Sequence, residues 1–580
     1  MSHFRAFAKK VKDWFLAGYS FLNRENLYVF YVFSFFFVLT LLPYFSIDRV
    51  FAMDDHFFHI KFSEVFREEG VRAFTDFQSI YFSKMGIGHE YLVYYNFLFY
   101  IVLLPFTFLT PLIFGIKMYG VVVVSLSLTA VYVFLRKVSV KHPFLWVVLF
   151  LGMLIQSGLL FRFSLARPFT LAPVFLVVML LLIHQKRHFL SALISFLYFY
   201  WHTATFFFPL ALAAGYFLFE QFYGKRPDWK MVIWPTLGTG AAVLFAYAFS
   251  PGVIAYLRDV IFPVFFDTAL FKDTGVAEGG EVYGKNFFDV FSSFFWFLAF
   301  FVVLGIYEVL RYIRSKRGIQ EPEEAIDMPL QPLRATLFMA TLVFWLGSFF
   351  SARFLDDFVY FCILYIALAV TDVGRFFMVQ GKALKQAVRI GIPVVVVVLF
   401  SSFSLNLYDV LGGSPSHMSV QGPAEWLNYN LSEGKIIFNL DWSAFPTLYY
   451  FTGDKFRYTT GLEPRFLYDL DPRMYWIWRN IGDNAVYCEQ RDCEEIIKQR
   501  DEFLAPRKSE DEKSRWYKHQ GDLMAESIMR DFQTDIIVVS NQRTWLLDVF
   551  DHSDRFKQEF FDEKNSAYAI YRIVGETEKK

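Results

Sequence analysis

Runs of about 20 mostly apolar residues, each long enough to cross the hydrocarbon core of a bilayer, recur along the first part of the chain and are separated by loops that collect Lys and Arg. The pattern predicts about 11 transmembrane helices, near 27–47, 93–114, 118–135, 144–161, 168–184, 189–219, 231–250, 289–312, 335–351, 355–375 and 390–411; the run 189–219 is long enough for two short helices. After about residue 413 the grain changes. Lys435–Leu440, Thr534–Ser540 and Ala567–Val574 are short continuous apolar runs that read as buried strands, and Cys493–Leu504 has helical character. Arg507–Arg515 is charged and reads as an exposed segment. The expected fold is therefore a polytopic α-helical membrane protein over 1–412, followed by a C-terminal α/β soluble domain over 413–580.

Composition supports this division. Of 580 residues 55% are hydrophobic, and 75 are phenylalanine, more apolar surface than a soluble core can hide. The net charge of zero argues against a nucleic-acid partner, because such proteins carry a basic excess or patch. Arg5, Lys9, Lys10, Lys12 and Arg24 precede the first apolar run, which has no small-residue cleavage site and reads as a retained signal anchor with a cytoplasmic N-terminus. An odd number of spans then sends the C-terminal domain outside a plasma membrane, together with the loops 48–92 and 251–288. Most basic loops fit the positive-inside rule under this count: Lys225, Arg226 and Lys230, then Arg311 to Arg317, then Arg375 to Arg389. Arg136, Lys137 and Lys141, and Lys186 with Arg187, fall on the wrong side. No internal repeat of the kind found in inverted-repeat transporters is visible.

The most unusual polar cluster is Asp54-Asp55-His56-Phe57-Phe58-His59, directly after the first span, in a segment that continues as a helix to Gly70. On a helix Asp55 and His59 share a face, and a carboxylate with an imidazole can ligate a divalent cation, or one can orient the other. The competing reading is an interfacial anchor for the helix end. His89 and Glu90 precede the second apolar run; Glu90 is either a second acidic ligand or a helix N-terminal acid favoured by the dipole. Glu278 and Glu281 lie in a glycine-rich acidic loop, as ligands or as plain connection. Arg162, Arg167 and Arg353 sit at span ends, where a guanidinium fits phosphate oxygens; Arg353 can instead pair with Asp356 or Asp357. Trp201-His202 interrupts an apolar run, either lining a cavity or packing. Cys488 and Cys493 either pair or are unrelated thiols.

The stretch Asp55-His-Phe-Phe-His59-Ile-Lys-Phe-Ser-Glu-Val-Phe-Arg-Glu-Glu-Gly70 resembles the first external loop of oligosaccharyltransferase catalytic subunits, which are GT-C superfamily glycosyltransferases. The resemblance implies a GT-C-like membrane domain and an enzyme that transfers a sugar or glycan from a polyprenyl-phosphate or pyrophosphate donor to an extracytoplasmic glycan, lipid or protein, with inversion. By the same resemblance Asp55, with Asp54 and His59, is catalytic. A Mg²⁺ or Mn²⁺ held by Asp55 with Glu90, Glu278 or Glu281 would neutralise the leaving phosphate, and Arg162, Arg167, Arg353, His89 and Trp442 would contact substrate. The family's Trp-Trp-Asp-Tyr-Gly sequon motif is absent: the corresponding place reads Asn439-Leu-Asp441-Trp442-Ser. An aromatic-rich stretch, Gly461–Pro472, offers a sugar-facing ledge or core packing. The other function classes are a transporter or flippase of lipid-linked glycans and a non-catalytic membrane scaffold.

Overall fold

The computed structural model describes residues 24–46, 55–83, 96–258, 287–316, 330–376 and 417–575, with a few positions between 398 and 405; positions 76, 164, 225, 227, 251, 463, 506–508 and 562–566 are excluded. Asp54, His89, Glu90, Glu278 and Glu281 lie outside the described residues, as does most of the expected span 390–411.

The membrane part is a bundle of α1 (Arg24–Ser46), α4 (Leu112–Lys137), α5 (Pro143–Gln156), α6 (Ala172–His184), α7 (His188–Trp201), α8 (Phe208–Phe222), α9 (Lys230–Phe249), α10 (Phe287–Lys316), α11 (Gln331–Gly347) and α12 (Phe354–Phe376). Two further helices, α2 (Asp55–Glu69) and α3 (Phe97–Leu103), belong to the segment between α1 and α4. Among the described residues six helices are long and apolar enough to cross a membrane, and four shorter ones are apolar. This is a multi-pass membrane protein. The α7–α9 contact is backbone to backbone: a Cβ on Gly238 would overlap the Ala192 carbonyl.

One expected span comes out differently, and another takes the divided form that its length allowed. The stretch 93–114 does not form one crossing helix. Its described part is α3 followed by a 3₁₀ turn, Leu104–Phe108. It lies along α2 instead: Phe97 meets Phe66 at 5.8 Å, Tyr100 meets Phe62 at 4.8 Å, and Arg67 donates to the Thr107 carbonyl at 2.7 Å. Hydropathy cannot separate an aromatic segment packed on protein from one facing lipid. The run 189–219 is two helices, α7 and α8, broken at His202–Phe207.

These two changes sort the charges. At one end of the bundle Asp55 meets Arg167, Arg162 meets Asp356, and Asn96 accepts from the Thr203 amide at 3.2 Å. At the other end Arg136 lies over the Tyr28 ring at 5.3 Å, His188 meets Asp228 at 3.0 Å, and Arg334 donates to Glu308 at 2.9 Å. Helix alternation puts Lys137, Lys186, Arg187 and Lys230 at this second end, so the two loops that broke the positive-inside pattern now fall with the rest.

From His417 the chain builds a five-stranded mixed sheet, ordered β2-β1-β3-β5-β4, from β1 (Ile436–Asn439), β2 (Arg457–Tyr458), β3 (Ile536–Ser540), β4 (Phe556–Phe560) and β5 (Tyr568–Ile573). β1 pairs in parallel with β2 and β3; β5 pairs antiparallel with β3 and β4. β1, β3 and β5 are almost wholly buried, which explains their continuous apolar sequence. Around the sheet lie α13 (Gln421–Asn430), α14 (Phe445–Thr452), α15 (Pro472–Asn484), α16 (Glu494–Phe503), α17 (Glu510–Asp531) and α18 (Thr544–His552). The charged segment 507–515, read as exposed, is from Glu510 on the largely exposed first turns of α17, started by a Ser509/Glu512 capping box. Cys488 and Cys493 form a disulfide.

This domain is fastened to the loop that carries α2. Phe58 is ringed by Phe62, Phe77, Phe445 and Tyr449 at centroid distances of 5.7, 5.8, 5.8 and 5.0 Å. Residues 79–81 continue the sheet beyond β2: the Tyr458 amide donates to the Ser79 carbonyl at 2.7 Å and the Tyr81 amide to the Tyr458 carbonyl at 3.1 Å. An open edge is thereby covered. At the seam the Asp454 carboxylate accepts from the Tyr449 hydroxyl at 2.6 Å and the Ser79 hydroxyl at 3.1 Å.

Burial pushes the Asp454 carboxyl above the usual aspartate range, although both hydroxyls and nearby Lys61 pull the other way. The folded protein therefore holds this proton more tightly than the unfolded chain does. The contribution is fully present below the ordinary aspartate value of 3.8 and is lost as pH rises through the raised one. Asp454→Asn keeps an oxygen for both hydroxyls but cannot ionise. Between about pH 4 and pH 7 its thermal midpoint should fall less than that of the parent. An unchanged slope in scanning fluorimetry would assign the pH dependence to other groups.

Candidate active site

Asp55 is the first residue of α2, and its side chain is about one-third exposed. The helix ends as expected, with Gly70 in the left-handed region at φ 64°. It is buried on nearly every side, so the carboxylate is held at the rim of a rigid element. Opposite stands Arg167, whose guanidinium lies 3.5 Å from the Asp55 carboxylate. Arg167 belongs to the turn between the short helix Leu159–Phe163 and α6, and the Trp201 indole pins that turn by donating to the Pro168 carbonyl at 2.5 Å. Arg162 and Arg167 both lie over the Phe169 ring, at 5.3 and 5.5 Å, so one aromatic face supports two cations.

Arg162 is also bound at its far side. Its Nε and Nη2 donate to the two Asp356 carboxylate oxygens at 3.2 and 2.9 Å, a forked pair across 194 positions of sequence. Asp356 thus pairs with Arg162. Next to it Asp357 is buried, and one of its oxygens has no hydrogen-bond partner among the described residues. Arg353 lies within electrostatic reach of His202, whose Nδ1 is 2.6 Å from the Thr205 hydroxyl. A cavity of about 420 Å³ opens beside Arg162, with Ser157, Ser292 and Ser293 on its walls. Guanidinium and hydroxyl donors around one void suit an anion.

His59 is buried in an aromatic layer. Its Nδ1 is 3.0 Å from the Tyr100 hydroxyl, and its ring meets Phe99 edge-on at 5.1 Å. Trp442 packs at the edge of the C-terminal core, beside an Asp441–Arg543 ion pair of 2.7 Å. Among the described residues no three His, Cys, Asp or Glu side chains converge as a metal site. Sequence reasoning did not single out Phe169, or Asp356 as the partner of Arg162; Phe169 follows Arg167-Pro168 directly, but nothing local marks the Arg162–Asp356 pair.

The architecture has known counterparts. The chain superposes on the arabinofuranosyltransferase AftD from mycobacteria with a TM-score of 0.50 and 12% identity, covering 94% of this chain and 40% of AftD. It superposes on ArnT from Cupriavidus metallidurans, solved bound to undecaprenyl phosphate, with a TM-score of 0.50 and 11% identity, covering 93% of this chain and 98% of ArnT. No protein-family model matches the sequence, and no curated protein matches it. The chain shares the fold of these two proteins at the level of architecture.

Proposed function

We propose that the protein is a membrane glycosyltransferase that takes a sugar from a polyprenyl-phosphate or pyrophosphate donor and passes it to an acceptor outside the cytoplasm. The observation that carries this reading is the pairing, in a GT-C fold, of a one-third-exposed carboxylate at the start of a rigid loop helix with two arginines on one aromatic face. The structural neighbour with bound undecaprenyl phosphate supports a lipid-linked donor. Arg162 and Arg167 hold the phosphate, where their charge matters most as the glycosidic bond breaks and negative charge grows on the leaving group. Asp55 accepts the proton of the attacking acceptor group in a single displacement that inverts the anomeric carbon. The acceptor is a glycan, a lipid or a protein.

Eleven spans and a cytoplasmic basic end follow when α7 and α8 count separately and Phe97–Phe108 does not cross; membrane domain 1–412 and outer domain 413–580 are part of this reading. A Mg²⁺ or Mn²⁺ would need Glu90, Glu278 or Glu281 to join Asp55. No step above depends on it.

Purified full-length protein in nanodiscs, given a radiolabelled polyprenyl-phosphate sugar and mixed membrane acceptors, should form product. Arg167→Gln should lower kcat/KM by about 10²-fold. Loss of turnover with EDTA and recovery with Mg²⁺ or Mn²⁺ would add the metal; indifference to EDTA would remove it and leave the transferase. Donor binding or translocation without turnover would favour the flippase instead.

A further inference from the structure

A larger cavity than the one beside Arg162 lies away from the arginine cluster. It occupies about 850 Å³ in the C-terminal domain, between α16, α17 and the loop closed by the Cys488–Cys493 disulfide, whereas the Asp55 site is built from the loop helix and the bundle. That volume falls in the range of small-molecule sites, about 300–1,000 Å³. Its apolar lining includes Tyr487, Ile496, Phe503, Trp516 and Leu523. Its mouth carries the exposed polar side chains of Gln490, Asp492, Glu495, Gln499 and His519.

The walls are fixed in advance of any ligand. Asn480 donates from its side-chain amide to the carbonyls of Cys488 and Gln490 at 3.2 and 2.9 Å, so the disulfide loop is tied to α15 as well as to itself. Gln520 of α17 accepts from the Tyr487 amide at 2.9 Å, joining the loop to the facing helix. The capping box fixes the start of α17. A preformed cavity spares a ligand the cost of ordering its site.

The chemistry of the lining selects the ligand. Flat aromatic faces beside amides and carboxylates match a sugar ring, which has apolar C–H faces and hydroxyls around its edge. Four carboxylates, Glu489, Asp492, Glu495 and Glu512, face one guanidinium, Arg515. Arg473 at 3.1 Å already neutralises Glu489, but the remainder still repels anions. We propose that this cavity is a second, non-catalytic saccharide site that takes a short oligosaccharide without negative charge and prefers one bearing ammonium groups. Such a site would hold a glycan acceptor or product on the domain that α14 packs against the Asp55 helix.

The test is isothermal titration of the full-length protein in nanodiscs, free of sugar-headed detergent and without lipid donor, so that its outcome is independent of transfer. The probes are the glucosamine trimer, the N-acetylglucosamine trimer and trigalacturonic acid. The glucosamine trimer should bind at least fivefold more tightly than its N-acetylated form, and trigalacturonic acid should not bind. The double variant Asp492→Asn/Glu495→Gln, at two exposed positions, should weaken the glucosamine trimer at least fivefold and leave the N-acetylated trimer unchanged. Tyr487→Ala should weaken both. Absence of binding by both amino-sugar trimers, equal binding of the acidic trimer, or affinities unmoved in both variants would overturn the proposal.

Discussion

Asp55→Asn should reduce transfer by about 10³-fold in kcat while leaving the protein folded and the donor bound, the size expected when a positioned proton acceptor is removed. The substitution is isosteric, and the side chain is about one-third exposed at a helix start, so no cavity and no buried orphan is created. Asn can still accept from Arg167 but cannot take a proton. Asp55→Ala should be no worse in rate, because the missing function is the same. The readouts are initial rates with a radiolabelled lipid-linked sugar, donor affinity, and the thermal midpoint in parallel. If the Asn variant keeps more than a tenth of parental turnover, Asp55 is not the acceptor of the proton and the mechanism above is wrong at its centre.

The sequence carried this residue in plain view and hid its surroundings. An acidic pair followed by His-Phe-Phe-His after a long apolar run is visible without coordinates, and so is the helix that ends at Gly70. α1, α4, α9, α10 and α12 were legible because a membrane-crossing helix needs about 20 apolar residues in a row. The stretch 93–114 divides differently for the same reason: Phe97 to Phe108 is as apolar as a span, but part of that surface packs on α2 and on Tyr119 and Trp201 of the bundle. In the C-terminal domain β1, β3 and β5 announced themselves as continuous apolar runs. β2 has two residues, and β4, Phe556-Lys-Gln-Glu-Phe560, is a charged edge strand, so neither stood out. For α17 a local signal was present and outweighed by charge: Ser509 with Glu512 is a capping box. The Arg162–Asp356 pair joins residues 194 positions apart, and no local pattern encodes which carboxylate an arginine at a span end will find.

That pair separates structure from chemistry. Arg162 is 18% exposed in its side chain and Asp356 4%, so Asp356→Ala leaves a largely buried guanidinium without the carboxylate that its Nε and Nη2 donate to. Breaking such a pair from one side costs about 3–5 kcal/mol. Arg162→Ala should be costly too, because it leaves Asp356 beside the already buried Asp357 without its counter-cation. Removing both charges removes the conflict, so Arg162→Ala/Asp356→Ala should recover most of the thermal midpoint lost by Asp356→Ala, a strongly non-additive cycle. Turnover should not follow. If Arg162 grips the donor phosphate, the double variant stays folded yet remains slow, with a raised KM for the lipid-linked sugar. Recovery of both stability and rate would make Arg162 a structural partner of Asp356 alone and leave the phosphate to Arg167. Additive losses, with the double variant the least stable of the three, would mean that the two side chains do not depend on each other as their 2.9 Å contact implies.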